Sequence, residues 1–89
     1  MVDIKRGTFF DIGHGVTLEP VYFDGSLEAV EYTHPDKEGK PCVGWVPLKP
    51  RNKLGWDLLN EEPLTLSPSL LCRRCGHHGF IRNGKWVPA

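Results

Sequence analysis

The chain has 89 residues, and a chain this short buries only about 60–65 % of its unfolded surface, so its core alone gives a thin stability margin. Acids and bases balance at 11 each, no apolar run approaches the ~20 residues of a membrane-spanning helix, and the opening Met1-Val-Asp-Ile-Lys-Arg-Gly7 lacks the apolar stretch of a secretory signal. These features argue against a membrane span and for a reducing, cytoplasmic setting, where an odd set of three cysteines suits metal binding better than disulfides.

Taken in order, the chain reads as strands. Glycine and proline, 10 and 8 residues, are scattered along its whole length, which indicates many short elements joined by turns. No window shows helical periodicity free of Pro or Gly. Thr8-Phe9-Phe10-Asp11-Ile12 leads into the turn-like Gly13-His14-Gly15, then a strand from Val16 to Phe23. Asp24-Gly25 predicts a type I′ hairpin into Ser26–Tyr32, because both central turn positions need positive φ. His34 to Pro41 reads as a polar loop, Cys42–Val46 as a strand ended by Pro47, and Leu48–Gly55 as a basic connection. Trp56–Leu59 and Leu64–Leu66 are two further short strands. At the end, Phe80-Ile81-Arg82 and Lys85-Trp86-Val87 flank Asn83-Gly84, so Arg82 should face Lys85, Ile81 face Trp86 and Phe80 face Val87. Trp45, Trp56 and Trp86 are expected in the core.

Cys72-Arg73-Arg74-Cys75-Gly76-His77-His78-Gly79 carries the chemistry. Two thiolates two residues apart can grip one tetrahedral ion from a tight turn, and Gly76 lets the backbone fold back toward the sulfurs. Adjacent side chains of an extended segment point to opposite sides, so only one of His77 and His78 can join; the expected third ligand is His78. Cys42 is the expected fourth, with His34 and then His14 as alternatives. The redox reading of Cys-x-x-Cys is weaker, since no helix follows to lower the thiol pKa.

Catalytic signatures are sparse. The zinc-protease HExxH pattern and the H-x-E partner of the deaminase Cys-x-x-Cys are missing, as is a Ser-His-Asp set that spacing supports. No carboxylate lies between Glu62 and the end to serve as a base. Charge is also uneven: residues 1–33 hold six acids against Lys5 and Arg6, whereas residues 63–89 hold Arg73, Arg74, Arg82 and Lys85 and no acid. Those four cations around a knuckle and a hairpin tip are the footprint a nucleic-acid binder would present.

The ending Pro63-Leu-Thr-Leu-Ser-Pro-Ser-Leu-Leu-Cys72-Arg-Arg-Cys75-Gly-His-His78-Gly-Phe-Ile-Arg-Asn-Gly-Lys-Trp86 resembles a family of small actinobacterial and phage proteins, a domain of unknown function. That family combines a tryptophan, a Pro-Ser turn, a Cys/His cluster and a final FI-x-x-G-x-W hairpin. The resemblance covers the last third, with Trp56 and Gly39-Lys-Pro-Cys42 beyond it. It places Cys72, Cys75 and His78 on the metal positions, with Cys42 joining them and His77 as a non-ligand. It implies a metal-binding module of phage origin and supplies no activity.

The expectation is therefore one mainly β domain over residues 1–89, with five to seven short antiparallel strands and hairpins stapled by structural Zn²⁺ at Cys42, Cys72, Cys75 and His78. Its expected role is a non-enzymatic binding module acting on a host or virion protein. A nucleic-acid binder using Arg73, Arg74, Arg82 and Lys85 comes second, and a zinc hydrolase third.

Overall fold

A computed structural model describes residues 3–89. Met1 and Val2, part of the segment read for a secretory signal, lie outside them. Ten strands and no helix are present among the described residues, more than the five to seven expected. The surplus comes from elements of two to four residues that single-sequence patterns do not register, such as Ile4–Arg6 and Leu70–Leu71. No helix here is long and apolar enough to cross a membrane.

The first half builds a five-stranded antiparallel sheet from β1 (Ile4–Arg6), β2 (Phe10–Gly13), β3 (Val16–Phe23), β4 (Ser26–Pro35) and β5 (Pro41–Pro47). Strands β1 and β2 share one edge of β3, against Val21–Phe23 and Val16–Leu18 respectively. The other edge of β3 pairs with β4, and β4 with β5. Two tight turns carry this meander. His14 and Gly15 have φ of 56° and 76°, and Asp24 and Gly25 have 52° and 85°, the left-handed pair a type I′ turn demands.

The second half adds the hairpin β6 (Asp57–Asn60) with β7 (Thr65–Ser67), then a three-stranded sheet of β8 (Leu70–Leu71), β9 (His78–Arg82) and β10 (Lys85–Pro88) in the order β10-β9-β8. The last hairpin has the expected register: Arg82 opposite Lys85, Ile81 opposite Trp86, Phe80 opposite Val87. Asn83 and Gly84, at φ 51° and 71°, make its turn. That turn is tied to the start of β7, where Gly84 N–H donates to the Leu64 carbonyl at 2.8 Å and Asn83 N–H to Thr65 Oγ1 at 3.0 Å.

One core joins all three sheets. Val16, Leu18, Val30 and Val46 come from the large sheet, Leu66 from the β6–β7 hairpin, and Leu70, Ile81 and Trp86 from the last sheet. Period-2 alternation selects these faces. In β4 the inward series Val30, Tyr32 continues to His34, which is 1 % exposed. Of the three tryptophans expected in the core, Trp86 is buried and Trp56 packs at its margin, whereas Trp45 is 47 % exposed. Trp45 lies on β5, an edge strand, and points away from the face that buries Val46.

Close approach makes Gly79 necessary. A Cβ there would run into the Trp86 indole and lie 2.7 Å from the Val87 carbonyl oxygen. Overpacking of this kind costs about 1–3 kcal/mol, so Gly79→Ala is expected to lower the thermal midpoint by roughly 5–15 °C. A melt superimposing on that of the unaltered protein would contradict this packing.

Candidate functional site

Two chemically loaded clusters sit on the hairpin formed by β8 and β9. The first is at its turn. Gly76 N–H donates to the Cys72 carbonyl at 2.7 Å, and Cys72 N–H to the His77 carbonyl at 2.8 Å, closing a knuckle in which Gly76 takes φ 81°. That is the role its missing side chain was expected to serve. The knuckle lies against the turn end of the β4–β5 hairpin, where His34 and Cys42 are directly opposed. Arg74 reaches across the junction and donates to the Val43 carbonyl.

The ligand atoms of His34, Cys42, Cys72 and Cys75 consequently lie within 4.8 Å of one another. His34 Nε2 is 3.3 Å from Cys75 Sγ, and Cys42 Sγ is 3.8 Å from Cys72 Sγ. Donors bound tetrahedrally to zinc at ordinary bond lengths stand about 3.6–3.8 Å apart, so the four residues lie close enough to hold a metal ion. Four protein donors would close its shell and leave no place for a reactive water.

This cluster differs from the expected ligand set at one position. The three cysteines come together as anticipated, but the imidazole among them belongs to His34, and His78 is outside the cluster. Strand register is the reason. His34 continues the inward face of β4, whereas His78 begins β9 on its solvent face. His14 sits on the β2–β3 turn, also outside the cluster. His77 is a stacking residue, its ring 4.5 Å from that of His34 and 4.7 Å from that of Trp86.

The cluster's electrostatics favour the metal-binding forms of two of its residues. Burial, then His77 and Arg74, hold the His34 pKa below its usual value and keep its ring neutral. Burial alone would raise the Cys72 thiol, but amide hydrogen bonds from Cys75 and Arg74, with the Cys75 and Cys42 thiols, outweigh it and bring Cys72 to about 7. Cys42 is pushed up, first by burial and next by its contact with Cys72. Tyr32, buried and facing three thiols, is raised to about 12.

The second cluster is at the open end of the same hairpin. Leu70 pairs with Gly79 and Leu71 with His78, so alternation puts Ser69 on the face of His78 and Phe80. Leu70, Gly79 and Ile81 occupy the opposite, buried face. Ser69 and His78 are thus diagonal neighbours, and Ser69 Oγ lies 2.9 Å from His78 Nε2. The backbone of Ser69 is held in turn by Trp56, whose Nε1 donates to the Ser69 carbonyl at 3.2 Å. A groove of ≈ 420 Å³ opens beside Ser69. Sequence reasoning missed this pair because it sought a triad by spacing. The available signal was the symmetry of Ser69-x-x-Cys72-x-x-Cys75-x-x-His78, which sets both residues three places outside the knuckle.

A family model described as bacterial ubiquitination-like system serine protease (BubE) matches residues 38–89, a segment holding Ser69, His78 and all three cysteines. No curated protein and no solved structure matches the chain. The match contradicts the expected non-enzymatic binding module, because a family described as serine proteases points to an enzyme with a protease-related role. That expectation rested on missing catalytic signatures and on the lack of a carboxylate base in the last 27 residues. With more than half of its length matched, the chain belongs to the BubE family.

Proposed function

We propose that this chain hydrolyses peptide bonds, with Ser69 as nucleophile and His78 as general base. The 2.9 Å contact between Ser69 Oγ and His78 Nε2 carries the reading, since a serine hydroxyl attacks only when a neighbouring base takes its proton. In the first step Ser69 Oγ adds to the substrate carbonyl as its proton passes to His78 Nε2. The imidazolium then protonates the leaving amine, and water repeats the sequence on the acyl-enzyme. Among the described residues no carboxylate hydrogen-bonds to the His78 ring, so the machinery is a dyad. Its geometry is held by the strand pairing of Leu71 with His78 and by the Trp56 bond to Ser69.

The His34–Cys42–Cys72–Cys75 cluster is assigned to one structural zinc ion. Thiolate-rich donors and tetrahedral spacing suit zinc, and the Arg74 guanidinium offsets the net negative charge of three thiolates around a dication. When bound, the ion ties the β8–β9 turn to the β4–β5 hairpin. His78 opens β9 after that turn, and Ser69 immediately precedes β8 before it.

Three outcomes follow. A fluorophosphonate probe should label Ser69, with labelling abolished by Ser69→Ala and slowed at least about 10³-fold by His78→Ala; equal labelling of Ser69→Ala would place the nucleophile elsewhere. Elemental analysis should find one zinc per chain, retained in His78→Ala and lost or greatly weakened in His34→Ala. The opposite pattern would return His78 to the ligand set. Zinc affinity should fall as pH drops below about 7, because protons compete for the Cys72 thiolate whose pKa lies there. A titration with zinc between pH 5 and 8 showing no such fall would refute the thiolate assignment.

A further inference from the structure

The groove beside Ser69 is lined by Leu59, Leu66, Pro68 and Phe80, with Arg82 as its cation. Alternation along β9 places His78, Phe80 and Arg82 on one face. The Arg82 guanidinium carbon stacks 4.1 Å over the Phe80 ring, and that ring lies 6.4 Å from the His78 ring. One row of side chains therefore runs from the base, across an apolar surface, to a fixed positive charge.

That charge has no counter-ion. Elsewhere Arg6 meets Glu19 and Glu31 at 3.4 Å, and Arg51 meets Glu28 at 2.7 Å. Arg74 is committed to the Val43 carbonyl, and Arg73, which also meets no acid among the described residues, does not line the groove. Among the described residues Arg82 has no carboxylate in reach, and its hairpin partner Lys85 is a like charge. No acid occurs anywhere in residues 63–89 to neutralise it. A guanidinium stacked on an aromatic ring gives up little freedom when it binds, and its fork matches a carboxylate.

We infer that the groove takes a peptide carrying a carboxylate near the scissile bond, and that Arg82 is the residue that reads it. The inference rests on the assignment of Ser69 and His78 as nucleophile and base. Successive same-face residues of a strand are about 6.7 Å apart, the same step an extended substrate makes in two residues. With Arg82 folded back over Phe80, the carboxylate falls roughly one to three residues from the bond cut. It is either an acidic side chain or the substrate's own terminal carboxylate.

Competition against fluorophosphonate labelling of the full chain tests this without requiring turnover. Three peptides of one apolar sequence serve as competitors: one with an internal Glu and an amidated end, one with Gln and a free carboxylate end, and one with Gln and an amidated end. One or both carboxylate peptides should halve the labelling rate at about tenfold lower concentration than the neutral peptide, and which of them does so identifies the source. In Arg82→Gln that ratio should fall to about one, while Arg82→Lys should keep part of it. The ratio is the readout, so a change in absolute labelling rate does not confuse it. Labelling of Ser69 with no difference among the three peptides, or a preference that persists in Arg82→Gln, overturns the role of Arg82 and leaves the dyad standing. Folded protein that is not labelled at Ser69 overturns the dyad and this proposal together.

Discussion

The junction between the Cys72–Cys75 knuckle and the end of the β4–β5 hairpin is the constraint on which the rest of the molecule depends. Four donors from three segments converge within 4.8 Å, two from cross-strand partners and two from one turn. Their convergence joins a sheet built by the first half of the chain to one built by the second. Short strands and a small core leave few other long-range ties. The stack of Tyr32, His34, His77 and Trp86 runs through the same junction, with neighbouring rings 4.5–4.7 Å apart. Aromatic packing and metal-type donors thus reinforce one boundary.

The hairpin that carries the knuckle also brings Ser69 and His78 together, and backbone register explains how. A turn that brings Cys72 and Cys75 to one point forces the strands on either side of it into antiparallel pairing. With Leu71 opposite His78, Ser69 falls diagonal to the imidazole and within hydrogen-bond reach. Sliding β9 by one residue against β8 would send His78 to the core face and part it from Ser69. Gly79, packed under the Trp86 indole, resists such a slip. The cysteine knuckle and the Ser69–His78 contact are therefore two consequences of one local geometry, two residues apart on either side of the turn.

Much of this was legible from residue types. The Asn83-Gly84 and Asp24-Gly25 turns, the register of the last hairpin and the all-strand character follow from local rules of φ and alternation, which need no tertiary information. The Cys-x-x-Cys knuckle and the role of Gly76 follow from the same rules. The imidazole of the cluster was less accessible. His78 is nearer in sequence, whereas His34 is set by a period of two along Val30, Tyr32 and His34 and by a partner strand 8 residues away. The inward alternation was visible, but the loop reading of residues 34–41 concealed that it continued.

By itself the sequence determined the turns, the strands that flank them and the three thiols available to a metal, because each depends on residues close along the chain. Tertiary structure decided which histidine lies among those thiols, which serine meets a histidine, and which arginine lines the groove beside that serine. Those outcomes depend on distances across 9 to 41 residues of chain, as with Ser69 to His78 and His34 to Cys75. Such distances are set by strand register and sheet packing, which residues close along the chain do not fix by themselves.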